Sequence, residues 1–393
     1  LERFVDSMKR VSSQMIVSLL GGLASSALIR SPIGVALPPD RFPPNPLLEG
    51  QFTPSASPAA KLTQELANLN QQAIAKLEAG NADAAFDLWN QQLRLSRNLG
   101  PAGEVKALAQ VGEVAWTRNN TRQVRYIRQR LQQIQAQPQP PLAELAVAYE
   151  VIRAPELALT VYQQGLVTQA NDPQALFQWR NRTAQTQLDW FNYRQAATVY
   201  QDLLTQAQAE NNPTNQLAYA YQLAYVQEQA RNPQGAIAAL EILIDRYRMT
   251  RDPRLLANFQ TRLADQYRRN QQPDAAERTY QAAYRTAEAQ QQMGFAGDAL
   301  RQLAAFYREQ QRFDAAIQVY DFLTSFEQEL GRNPFNTMDA YDRLGQIYLA
   351  QGNRSQAIAA FSQGLRLAQQ LNHRVAYFQA QLNPAPPQPG RRS

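Results

Sequence analysis

The chain has 393 residues, 44% of them hydrophobic, and a formal net charge of +6. That apolar fraction can bury a sizeable core, which excludes wholesale disorder, and the length allows two or three ordinary domains or one long repeat array. The absence of cysteine rules out disulfides, thiolate nucleophiles and Cys-ligated zinc, and a single histidine, His373, leaves no His pair for a metal or a catalytic relay.

Alanine, glutamine, leucine and arginine dominate. These residues lose little side-chain freedom in a helix, so the composition points to an all-helical chain. The basic residues are almost all Arg, with Lys only at 9, 61, 76 and 106. They are interleaved with Asp, Glu and Gln and form no long basic run, which argues against nucleic acid as a partner.

At the start, Met8-Lys9-Arg10 precedes an apolar stretch, Met15 to Ile29, followed by Gly34-Val35-Ala36. A basic start, a short apolar core and a small-residue exit have the layout of a secretory signal, with cleavage expected after Ala36 or Ala27. An uncleaved membrane anchor and a buried core helix are the competing readings. The stretch falls short of the roughly 20 apolar residues that span a bilayer. Residues 37–60 are rich in proline, which fixes φ and lacks an amide donor, so they are expected to form an extended spacer. Residues 383–393 are expected to form a disordered tail.

Between these flanks the sequence repeats. The last copy reads Tyr341, Leu344, Gly345, Tyr348, then Gly352-Asn353, then Ala357, Phe361 and Gly364. The copy before it has Leu303, Ala304, Tyr307, Ala316 and Tyr320, and the one before that Leu263, Ala264, Tyr267, Ala276 and Tyr280. Earlier copies place the small residue at Ala73, Gly112, Ala146, Ala184 and Ala224. Leu263 and Tyr267 are i,i+4 neighbours on one helix face, and Ala276 and Tyr280 repeat the spacing on the next. Small residues let two antiparallel helices approach closely. Breakers such as Asn232-Pro233, Gln272-Pro273 and Gly352-Asn353 mark the turns, while Pro213, Pro253 and Pro334 mark the joins between copies. The second copy is weak, with Val124, Arg128 and Leu131 in the key places of its second helix, and irregular packing is expected there.

The order large, Leu, small, aromatic, turn, Ala, aromatic, small resembles the tetratricopeptide repeat, and the resemblance covers about residues 61 to 371. It implies a right-handed superhelical solenoid of about eight helical hairpins over residues 61–382, the last short helix, 374–382, capping the end. Copy spacings near 40 exceed the family's common 34, so helices or links are expected to be longer. The resemblance further implies a scaffold that binds a polypeptide; the signal layout adds export, and no enzymatic activity is expected. Exported, glutamine-rich arrays of this kind are similar to cyanobacterial periplasmic or lumenal assembly factors, among them one that assists photosystem II assembly.

In that family the first helix of each hairpin lines a concave groove that holds an extended peptide. Carried onto this sequence, the groove face holds Ala218, Tyr221, Tyr225 and Glu228 in one copy. The next two contribute Asn258, Thr261, Asp265, Arg268 and Arg269, then Asp298, Arg301, Ala305, Arg308 and Glu309. Two tyrosines beside several arginines suit a partner with acidic side chains or a C-terminal carboxylate, because Arg binds carboxylate bidentately. The Lys and Asn pattern that clamps chaperone C-termini is absent. Asp265, Asp298, Glu309 and Asp342 raise the alternative of a divalent cation, which the neighbouring arginines oppose. No cofactor, nucleotide or catalytic motif stands out. The carboxylates Glu327 and Glu329 are expected to be surface charges, and His373 to be structural.

Overall fold

The computed structural model describes residues 45–48, 59–249 and 255–383. The expected signal, most of the expected spacer, Pro253 and the tail beyond Asn383 lie outside the described residues. Among the described residues every regular element is helical. Eight antiparallel hairpins follow one another: α1 (Ala59–Glu78) with α2 (Ala82–Ser96), α3 (Gly100–Thr117) with α4 (Thr121–Gln135), α5 (Leu142–Val151) with α6 (Pro155–Thr168), and α7 (Pro173–Asp189) with α8 (Tyr193–Ala209). They continue with α9 (Pro213–Gln229) and α10 (Pro233–Met249), α11 (Leu256–Arg269) and α12 (Pro273–Ala289), α13 (Met293–Glu309) and α14 (Phe313–Phe326), and α15 (Pro334–Ala350) and α16 (Arg354–Gln370), before a final α17 (Val375–Leu382).

One turn design closes nearly every hairpin. A residue at positive φ follows the helix, and the amide after it bonds back to the carbonyl five residues earlier. Arg231 sits at φ 56 and Asn232 N–H reaches Gln227 O at 2.9 Å. Gln272 to Tyr267 and Arg312 to Tyr307 repeat the closure at 2.9 Å, and Asn353 to Tyr348 at 2.8 Å. This satisfies the carbonyls left open at a helix C-terminus. Gly80 and Gly352, at φ 79 and 75, fill the left-handed position at no steric cost, whereas the other copies place polar or charged residues there and, at 191, a phenylalanine. Many of the helices start on an Asn cap or a proline. Asn212 and Asn333 accept from Asn215 N and Asn336 N at 3.1 and 3.2 Å, with Pro213 and Pro334 in the first turn. The turns are short, so the extra length per copy lies in the helices. Many run 17 residues, among them α9, α10, α12, α13, α15 and α16.

The chain divides into two compact units at 199/200, inside α8. In the first, α1 to α6 pack in sequence, first helix α3 also touches first helix α5, and one core runs from Ala73 through Trp89, Leu131 and Tyr149 to Tyr162 and Trp179. In the second, each helix from α9 to α17 packs on the next, and α11 touches α13. Its main core joins Ala264, Ala276, Tyr280, Ala304, Tyr307 and Ala316, all fully buried. The second copy is weak in sequence yet regular in its second helix. Its second helix, α4, is continuous and buries Tyr126, Ile127, Leu131 and Ile134, while Arg128 faces outward and pairs with Glu156. Burial of the apolar residues sets the helix's rotation, and Arg128 belongs to the outer face.

Gly345 shows how tightly the helices approach. A Cβ there would stand 2.5 Å from the Phe361 ring of the paired helix. Gly345→Ala is therefore expected to destabilise the chain by about 1–3 kcal/mol. Gly294→Ala, where a Cβ meets nothing within 4 Å, is expected to be neutral or to stabilise by up to ~1 kcal/mol. Chemical denaturation followed by circular dichroism checks both.

Candidate functional site

The expected groove residues fall on the first helices α9, α11 and α13, all within the second unit. Their positions relative to the buried small residue of each copy repeat. Tyr221, Thr261 and Arg301 lie three residues before Ala224, Ala264 and Ala304, and Glu228, Arg268 and Arg308 lie four after. Steps of three and four keep each set on one helix face.

Tyr221 and Tyr225 are large side chains left open, 48% and 39% exposed on successive turns of α9. Tyr221 packs edge-on against Phe259 of α11, with ring centroids 6.2 Å apart. Arg262 of α11 stands 5.8 Å from the Tyr221 centroid and 5.6 Å from that of Phe259. Its guanidinium grips Glu228 of α9 bidentately, Nε to Oε1 at 3.0 Å and a terminal nitrogen to Oε2 at 2.9 Å. Arg262 has no place in the sequence-based groove, although it lies within the same helix turn as Thr261.

The same device joins the later copies. Arg268 of α11 donates to Glu309 of α13 at 2.7 Å and lies 3.7 Å from Asp265. Burial works against its charge, yet Glu309 and Asp265 hold its pKa above the ordinary arginine value. Arg301 of α13 pairs with Asp298 on its own helix and donates at 2.9 Å to Glu327, in the π-helical turn Glu327–Gly331 before α15. Arg374 closes the series, reaching Asp339 and Asp342 at 2.6 Å each. The arginines at 262 and 268 thus join one copy to the next, whereas Arg301 ties α13 to the turn that ends its own hairpin. Arg269 is exposed and Arg308 half-buried, and neither forms an ion pair among the described residues. Thr261 turns its hydroxyl back to Ala257 O at 3.0 Å, and Asn258 is half-buried on the same helix.

Several carboxylates of these copies have a second duty. Asp265 accepts the hydroxyl of Tyr280, a buried tyrosine of α12. Asp342 accepts that of Tyr377 at 2.7 Å, and Glu277 that of Tyr307 at 2.8 Å. A buried tyrosine hydroxyl needs a partner, and these acids supply it. Burial raises the pKa of Tyr280 and Tyr307, and the nearby carboxylates push it further up. The acids considered for a cation are thus held by arginines and tyrosines: Asp265, Asp298 and Glu309 by Arg268 or Arg301, and Asp342 by Arg374. Among the described residues no three His, Cys, Asp or Glu side chains converge to hold a metal ion. His373 stacks edge-on against Phe335, with centroids 5.8 Å apart.

Glu327 departs from its expected surface place, whereas Glu329 is exposed. Only 3% of Glu327 is accessible, and Gly297 and Gly331 leave room for its carboxylate. The π-helical turn carries it inward to Arg301 and to Asn336 Nδ2, which donates at 3.0 Å. Burial raises its pKa above the ordinary glutamate value, and Asn336 and Arg301 oppose this without cancelling it.

Residues 295–370, spanning α13 to α16, match the tetratricopeptide repeat family model. Residues 295–370 carry tetratricopeptide repeats. No curated protein sequence matches it. Among solved structures, BtubC (BKLC) from P. vanneervenii is 18% identical over 61% of this chain and 96% of its own, at a TM-score of 0.40. A STAND protein with a tetratricopeptide repeat sensor from Pyrococcus horikoshii is 15% identical over 81% of this chain and 49% of its own, at 0.44. The apo quorum sensor NprR from B. thuringiensis is 14% identical over 71% and 79%, at 0.38. These likenesses are of fold alone.

The titration of Glu327 gives a test of this tetratricopeptide array. With its folded pKa above the unfolded value, its stabilising contribution is present at low pH and lost as pH rises through the folded value. The melting temperature of the wild type relative to Glu327→Gln should therefore be more favourable at about pH 5 than at about pH 8. Thermal melts of both proteins at the two pH values measure the difference.

Proposed function

We propose that this tetratricopeptide chain is an exported scaffold that binds a partner polypeptide along the first-helix face of its second unit and serves assembly of an envelope or membrane complex. The observation that carries the binding site is the pair Tyr221 and Tyr225, exposed on consecutive turns of one helix face. Tyrosine brings large contact area at low entropy cost and is enriched where interfaces concentrate their energy. Tyr221 is also held in place by Phe259 and Arg262, so little ordering remains for the partner to impose.

The partner's acidic groups, or its C-terminal carboxylate, meet Arg269 and Arg308. Both are free of ion pairs among the described residues and able to bind carboxylate. Arg268 and Arg301 are already engaged and support the face from within the array. Export rests on the basic start and apolar stretch of the first 36 residues.

Two experiments test this reading. Affinity capture from the native host, quantified by mass spectrometry, identifies the partner. Tyr221→Ala/Tyr225→Ala should then weaken its binding by about tenfold to a hundredfold with helicity intact. Arg269→Ala/Arg308→Ala should weaken it and flatten its salt dependence, since exposed charge contacts are screened. Arg268→Ala/Arg301→Ala should lower the melting temperature. Undiminished binding by the folded tyrosine double variant removes the site. N-terminal sequencing of the native protein tests export: a chain starting near Leu37 agrees with a cleaved signal, and an intact start at Met8 makes it a membrane-anchored component.

A further inference from the structure

The left-handed residue of a hairpin turn costs least as glycine or asparagine, which Gly80, Asn119 and Gly352 supply. Between α7 and α8 that place falls to Phe191, at φ 61, and Phe191 is 72% exposed. The turn there reads Trp190-Phe191-Asn192-Tyr193. Trp190 is 39% exposed, and Phe191 meets Tyr193 edge-on with ring centroids 6.1 Å apart. A bulky side chain in a costly backbone conformation, with most of its surface in water, adds little to packing, so its place here points to a function.

Two further observations bear on the kind of partner. The amides of the turn are in use: Trp190 N–H bonds to Thr186 O at 3.2 Å, Phe191 N–H to Leu188 O at 3.0 Å and Asn192 N–H to Gln187 O at 2.8 Å. The rings therefore stand on a backbone whose donors need no water, and a partner polypeptide finds none of these three open for pairing. The second observation is charge. α6 packs antiparallel on both α5 and α7, and α3 touches α5, so the turns after α3, α5 and α7 lie at one end of the unit. Arg118, Arg122, Arg153 and Arg194, at or beside those turns, are exposed and form no ion pair among the described residues. Glu150 and Glu156, beside Arg153, are held by Arg182 and Arg128, and Asp189 accepts from Gln185 Nε2 at 2.7 Å.

We propose that the Trp190–Tyr193 turn is a lipid-contact site that enters the interfacial zone of a bilayer with anionic headgroups, while Arg153 and Arg194 meet the phosphates. Trp and Tyr rings favour that zone because each has an apolar body and a polar tip, and Phe191 supplies a wholly apolar ring beside them. Amides already bonded within the turn keep entry inexpensive, since an unmet backbone group is what the acyl region penalises. Basic side chains near the surface add attraction to anionic lipid. The site belongs to the first unit and does not depend on the tyrosine face of the second.

The chain has no cysteine, so Phe191→Cys in the full chain carries a single environment-sensitive fluorophore at the turn. With vesicles of phosphatidylcholine and phosphatidylglycerol, its emission should shift to the blue and be quenched by nitroxide-bearing lipid. The same probe on Asn171→Cys, in the exposed α6–α7 turn at the opposite end of the helices, should stay in water. The pair of probes separates the turn from any contact made by the apolar stretch of residues 15–29. Adding Arg153→Gln/Arg194→Gln should weaken insertion by about tenfold on the mixed vesicles and little on pure phosphatidylcholine. Gln271 and Gln311 hold the place of Arg153 in other copies, so that variant is expected to fold. Phe191→Asn, which follows Asn119, should leave helicity intact and the melting temperature unchanged or raised, because the ring lies outside the core. A probe at 191 that stays in water with the mixed vesicles overturns the proposal. So does one that leaves water only when membrane proteins are present, which makes the occupant a protein pocket, and so does a Phe191→Asn chain whose helices melt out.

Discussion

Close approach of paired helices at small residues is the constraint on which the rest of the molecule depends. Ala264 and Ala276, Ala304 and Ala316, and Gly345 against Phe361 bring helices near enough that one large aromatic per helix fills the remaining space. That aromatic is often a tyrosine, and a buried hydroxyl requires an acceptor. Asp265 for Tyr280 and Glu277 for Tyr307 follow from this need. An array built this way is held mainly by neighbouring contacts, so each copy depends on the next.

Once the acids are placed, the arginines are largely assigned too. Glu228 with Arg262 and Glu309 with Arg268 join consecutive copies along the first-helix side of the second unit, and Glu327 with Arg301 ties a first helix to the turn that ends its own hairpin. These pairs are partly shielded from water, and removing one partner leaves the other charge without its acceptor. What that face still exposes is limited in kind: parts of the Tyr221 and Tyr225 rings of α9, and Arg269 and Arg308, which form no ion pair among the described residues.

The hairpins were legible because their determinants are local. Leu263, Ala264 and Tyr267 fall within two helical turns, and Gly352-Asn353 marks its turn directly. In the weak second copy Tyr126 and Ile127 take the buried side of α4, which leaves Arg128, at a key place of the repeat pattern, facing outward. Ion pairs were illegible for a different reason. Arg262 meets a glutamate 34 residues away and Arg268 one 41 away, about one copy length in opposite directions along the chain. Nothing in the sequence says which neighbour each arginine faces. Glu327 was hidden by a π-helical turn that no local pattern announces, and the turn at residues 45–48 by the bond from Asn45 to Tyr126 O, more than eighty residues downstream in the chain.

The central claim, that a partner lies along the first helices of the second unit, is tested most directly by site-specific photo-crosslinking in the native host. A photoreactive phenylalanine analogue at Tyr221, Tyr225 or Arg269 should trap one common polypeptide, identified by mass spectrometry. The same analogue at Arg278, exposed on second helix α12, should trap it little or not at all. Equal trapping from Arg278, or trapping from Arg278 alone, would contradict the account.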